Sequence, residues 1–142
     1  MENIVIELKR TAGNVHFDSV SADHPAITIP FDYTPPLGTG EGLAGLEALV
    51  MTFSACVSTA IVGLLLRLGK HVEGYSVRAE GERTEQPLML SKILFHVAVA
   101  SGDITNEDME KVLHQAKIIS PVWIAIKGNV AVEATYQIQS TE

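Results

Sequence analysis

The stretch from Leu43 to Leu68 constrains this chain more than any other: almost every residue is apolar or small, and Glu47 and Arg67 are its only charges. At about 1.5 Å per residue, a helix over this stretch is as long as a small domain is wide. Its few polar residues, among them Ser54, Ser58 and Thr59, do not make a polar face, so the helix is expected to be buried nearly all round. Gly69 supplies a left-handed cap, and Arg67 in the last turn suits the negative end of the helix dipole. The run is long enough to span a bilayer, but its polar residues favour a buried helix of a globular protein, and no membrane partner is expected. One sheet from a single chain covers one side of such a helix and leaves little for the other. A homodimer in which two of these helices pack together beneath sheets from both chains solves that burial problem.

The rest of the composition narrows the function. At 142 residues, 46% hydrophobic and 19% charged, the chain is expected to form one globular domain over residues 1–142. The net charge of −7 is spread along the sequence, with no basic cluster to neutralise phosphates, so no nucleic-acid partner is expected. Met1-Glu2-Asn3-Ile4-Val5 lacks the basic start and long apolar run of a secretory signal. A single cysteine, Cys56, fits a reducing cytoplasm. The histidines at 16, 24, 71, 96 and 114 show no ligand spacing, so neither metal nor cofactor is expected.

Alternating apolar residues predict a hairpin, with Ile4, Ile6 and Leu8 before a Thr11–Asn14 turn and Val15–Asp18 after it. A short third strand, Ala26–Ile29, is expected to close at Pro30. Residues 32–42 hold two prolines and several glycines and predict an irregular, flexible entry to the long helix. Gly38-Thr39-Gly40-Glu41-Gly42 lacks the lysine and the spacing of a phosphate loop. Two long strands follow, Glu73–Glu85 and Leu90–Ala100. Thr105 and Asp108 form a capping box for the next helix. Ser120-Pro121 breaks that helix, with serine as the cap of a second, short one that stops at Gly128. A last strand covers Val130–Ile138. Blocks of strands and helices without regular alternation predict an α+β fold.

Cys56 is the one side chain here able to act as a strong nucleophile, and it sits mid-helix in Phe53-Ser54-Ala55-Cys56-Val57. Taken alone, such a cysteine is more often a small buried core residue. A free thiol ionises near pH ~8.5, so reactivity requires a cation or donors from other segments, with Arg10, Lys9 or Arg67 as candidates. Glu47 precedes it by two and a half turns and leaves the opposite face of an ideal helix. As a first-turn acid it also suits the helix dipole. Phe53 and Trp123 are core candidates that could also line a pocket, and His16 reads as a strand-surface residue.

Gly38-Thr39-Gly40-Glu41-Gly42, then Leu46-Glu47-Ala48-Leu49-Val50, then Ser54-Ala55-Cys56-Val57 resembles the first signature of the OsmC/Ohr superfamily. Ser120-Pro121-Val122-Trp123 with Lys127-Gly128 resembles the second, normally Cys-Pro-Val followed by an aromatic residue or histidine. The resemblance implies the OsmC-like fold, an intertwined homodimer with central helices and active sites at the subunit interface. It also implies a peroxiredoxin-like activity in oxidative-stress defence, the thiol-dependent reduction of organic hydroperoxides. Cys56 matches the peroxidatic cysteine and Glu47 the helix glutamate of the broader branch; in the organic hydroperoxide resistance branch that acid falls where this chain has Leu46. Arg10 is the nearest candidate for the assisting arginine. Ser120 stands at the resolving position, where serine cannot close a disulfide. That substitution leaves a one-cysteine peroxidase served by an external thiol or dithiol. Its alternative is a non-peroxidase dimer, binding a small apolar ligand between Phe53 and Trp123 or catalytically inactive.

Overall fold

A computed structural model describes residues 1–141 and divides into two compact units, Met1–Ala48 and Leu49–Glu142. In the first, β1 (Ile6–Ala12), β2 (His16–Ser21) and β3 (His24–Phe31) form an antiparallel sheet in chain order. The turn between β1 and β2 passes through Gly13 at φ +53°, a conformation that suits a residue without Cβ. The register puts Ile6, Leu8, Phe17, Ile29 and Phe31 on one face together with Arg10. Much of that face is open: Ile6, Leu8 and Ile29 are 57, 53 and 44% exposed.

β3 runs through both of its prolines and ends at Phe31, one residue past the Pro30 expected to close it. Its place at the sheet edge explains the difference. The Pro30 carbonyl points outward and accepts from Leu43 N at 3.0 Å, so the missing N–H lies off the ladder.

The second unit holds a three-stranded sheet in the order β4 (Gly74–Glu85), β5 (Leu88–Ser101), β6 (Ala131–Ser140). β4 and β5 are an antiparallel hairpin, and β6 lies parallel to β5. A parallel neighbour needs a crossover, which α2 (Asn106–Ile119) and α3 (Pro121–Ile126) provide. Thr105 and Asp108 make the expected capping box at the start of α2, each accepting from the other's backbone N–H. Ile93, Phe95, Val97 and Val99 alternate along β5 into the core, opposite Val132, Ala134, Tyr136 and Ile138 of β6.

Onto this face packs α1 (Gly45–Arg67). Phe53, Val57, Ile61 and Leu65, four residues apart, form its one fully buried stripe. Gly81 of β4 makes room for it, since a Cβ there would press on Leu90 and on Val50 of α1. The expected all-round burial is therefore not met within one chain. Met51 and Leu66 are exposed, because a single sheet reaches only one side of the helix.

A polar cluster closes the end of this unit. The Asp103 carboxylate accepts from His71 N at 3.0 Å and pairs with His71 Nδ1 at 2.8 Å, and Ser101 Oγ bonds the His71 carbonyl at 2.6 Å. The backbone and ring N–H groups of His71 hold Asp103 down at about 2, and Asp103 in turn raises the imidazole from its ordinary 6.5. His71 favours the folded state when protonated, and that contribution is lost as pH rises from 6.5 through its raised value. Asp103 contributes when ionised, and its share is lost as pH falls from 3.8 toward about 2. The pair is therefore at full strength between these windows. A thermal midpoint measured across pH is expected to be highest there, and Asp103→Asn is expected to flatten both limbs; an unchanged profile would remove the pair from the account.

Candidate functional site

Cys56 lies on α1, half-buried, one turn past Phe53 and beside the buried stripe. Among the described residues no hydrogen bond or ion pair reaches its sulfur. Phe53 is sealed in the core. Its ring meets Phe95 edge-on at 5.6 Å and Trp123 at 5.4 Å between centroids, so α1, β5 and α3 join at one aromatic contact. Phe53 and Trp123 are thus brought together, the first without exposure and the second with one edge on a cleft.

Ser120 sits between α2 and α3, and its backbone serves both helices: its N–H reaches Ala116 O at 2.9 Å, and its carbonyl accepts from Ile124 N at 2.9 Å. The hydroxyl does not make the expected cap. It is buried with its residue, 1% exposed, and has no hydrogen-bond partner. Pro121 at the first helical position leaves fewer N–H groups to cap, and the side chain is packed inside instead of standing over the helix end. A buried hydroxyl without a partner is an uncommon expense in a folded protein.

The first unit contains the glycine-rich stretch and Glu47. Glu47 reaches back so that its Oε1 accepts from Ala44 N at 2.8 Å, the role of a first-turn acid at a helix start. The entry segment is not loosely held. Asp32, buried, accepts from Tyr33 N and from the Thr39 hydroxyl, each at 2.7 Å, and from Thr39 N and Glu41 N at 3.3 Å. The Thr39 hydroxyl, with the Tyr33 N–H next, keeps this carboxyl well below the usual range despite burial. Asp32 N also bonds Leu43 O at 3.1 Å, so one residue fastens both ends of the loop. A Cβ on Gly38 would overlap the Tyr33 carbonyl oxygen and Asp32 Oδ1, and one on Gly42 would press on the Phe31–Asp32 backbone. These glycines are needed for close backbone approach.

His16, expected on the strand surface, is instead half-buried, with its ring nitrogens 3.5 Å from Asp18 and from Asp32. Arg10 is exposed on β1, opposite Phe17 and beside a register shift. Among the described residues it forms no salt bridge, and no group of three or more His, Cys, Asp or Glu side chains is arranged to hold a metal ion. Asp32 is the residue that sequence reasoning missed. The signal available was an aspartate at the head of a turn-rich loop with a threonine within reach.

In the second unit a cleft of about 540 Å³ lies between α2 and β6, floored by Trp123.

A family model described as OsmC-like protein matches residues 38–135. Among solved structures, a hypothetical protein from Aquifex aeolicus is 17% identical, covers 100% of both chains and superposes with a TM-score of 0.84. An OsmC like protein from Mycoplasma pneumoniae is 14% identical, covers 99% of each chain and gives 0.78. An organic hydroperoxide resistance protein from Elizabethkingia anophelis is 18% identical, covers 99% of this chain and 98% of its own, and gives 0.73. At these identities the likeness is one of fold. No curated protein matches the chain.

Proposed function

For a chain that belongs to the OsmC-like family, we propose the thiol-dependent reduction of organic hydroperoxides through Cys56 alone, in oxidative-stress defence in the cytoplasm. The observation that carries this reading is the pairing of a half-buried Cys56, on the helix that the family model spans, with a serine at the head of the second motif. In the proposed cycle the Cys56 thiolate attacks the outer peroxide oxygen. The O–O bond breaks, the alkoxide leaves and takes up a proton, and Cys56 becomes a sulfenic acid. One external thiol then forms a mixed disulfide with loss of water. A second releases the Cys56 thiolate, and the external reductant departs as its disulfide. A dithiol performs both steps in one molecule. Glu47 and Arg10 are the proposed acid and cation of this site.

The reading includes a homodimer. The exposed apolar face of β1–β3 and the uncovered side of α1 both call for a cover, and a second copy supplies apolar surface of the same kind. α1 meets the length and apolarity of a membrane span by composition alone. Its buried stripe and its packing on Phe95 favour a core helix, and no membrane or nucleic acid is included among the proposed partners.

Steady-state consumption of cumene hydroperoxide with excess dithiothreitol, in this chain and in Cys56→Ser, tests the proposal. The second reading, a non-peroxidase dimer that binds a small apolar ligand, is favoured by one observation, a serine at position 120 in place of a second thiol. Ser120→Cys helps separate the two. Under the peroxidase reading one equivalent of hydroperoxide is expected to convert it to an intramolecular disulfide, seen by mass spectrometry as the loss of two hydrogens. Two free thiols after oxidation would count against the assigned site.

A further inference from the structure

On β5 the inward residues Ile93, Phe95, Val97 and Val99 are all buried, but their β6 neighbours Val132, Ala134, Tyr136 and Ile138 are only half covered. The difference lies in how α2 meets the sheet. Its described polar contacts to β6 gather at its first turns, where the Tyr136 hydroxyl is 3.4 Å from Asn106 O and 3.3 Å from Glu110 Oε1. Beyond them the space between helix and strand stays open and makes the cleft of about 540 Å³. That volume is in the ordinary range for small-molecule sites.

The lining is graded along the cleft. At one end Tyr136 and Glu110 occupy each other. The floor is Trp123, Leu113 and Val132, with the indole fixed from behind by Phe53. Along the rim, Glu110, His114 and Lys117 recur at spacings of four and three and so share one face of α2. Among the described residues Lys117 has no acidic partner, although the chain as a whole carries a net charge of −7. A mixed cleft with an apolar floor and an uncommitted lysine on its rim suits a ligand with a matching division.

We propose that this cleft binds an apolar carboxylate, its hydrocarbon lying on Trp123 and its charged head on Lys117. The site uses neither Cys56 nor Glu47 and stands apart from the thiol chemistry proposed above.

Trp123 is the chain's single tryptophan, so its fluorescence reports on the floor directly. The full chain is titrated with decanoate, decanol and decyltrimethylammonium, each below its micellar range. Decanoate is expected to change the emission saturably, and the other two weakly or not at all. A hydrogen-bonded charge is worth about a tenfold change in affinity or more. Lys117→Gln is expected to weaken decanoate by that order, Lys117→Arg to keep most of it, and Cys56→Ser to leave it unchanged. No saturable response to decanoate, an equal response to decanol, or an unaltered Lys117→Gln would each overturn the proposal.

Discussion

Cumene hydroperoxide consumption is expected to fall to the uncatalysed background in Cys56→Ser. With no other thiol in the chain, nothing replaces the lost nucleophile. A serine hydroxyl is a far weaker nucleophile at neutral pH, whereas even an unperturbed cysteine is a few per cent thiolate. The comparison is clean because the exchange of sulfur for oxygen changes little volume at a half-buried site. In the active chain the rate is expected to depend on the concentration of added thiol, since both resolving steps come from outside. Equal turnover in the two chains would place the chemistry elsewhere. Absence of turnover in both would favour the ligand-binding reading.

Phe53→Ala is the second large effect, on stability. The ring is fully buried and touches Phe95 and Trp123 edge-on, so its removal takes away transfer energy and two aromatic contacts and opens a cavity among three elements. The expected cost is about 3–5 kcal/mol, a large part of the roughly 5–15 kcal/mol that holds a typical domain. Denaturant unfolding at fixed protein concentration is expected to show a lower midpoint with little change in slope. Met51→Ala, at an exposed position on the same helix, serves as the control. Within one chain it is nearly neutral, and a loss that grows on dilution would mark it as part of a subunit interface. A Phe53→Ala cost below about 1 kcal/mol would contradict the aromatic junction.

Much of this architecture was legible from local chemistry. The capping box at Thr105, the break at Ser120-Pro121 and the alternation along β5 each follow from backbone rules that act within a few residues. The readings that failed depended on partners distant in sequence. Pro30 looked like a terminator until its carbonyl was seen to face Leu43 outside the ladder. The entry loop looked unrestrained because nothing in its glycines and prolines announces that Asp32 will gather donors from Tyr33, Thr39 and Glu41. Hydrophobicity identified α1 as a buried helix but could not say how much of the burial a single chain supplies. Cys56 stood out as the only thiol and Ser120 as a helix cap, and the resemblance suggested their roles, whereas the unpartnered hydroxyl of Ser120 is visible only in three dimensions.

The aromatic junction also sets a timetable for synthesis. Phe53 leaves the ribosome well before Phe95, and Trp123 follows it by about seventy residues, which at about 5–20 residues per second is a delay of several seconds. β6, the parallel partner of β5, emerges later still. During that interval the most apolar segment of the chain has no native cover. The chain's greatest exposure to misassociation therefore comes before the last strand is made.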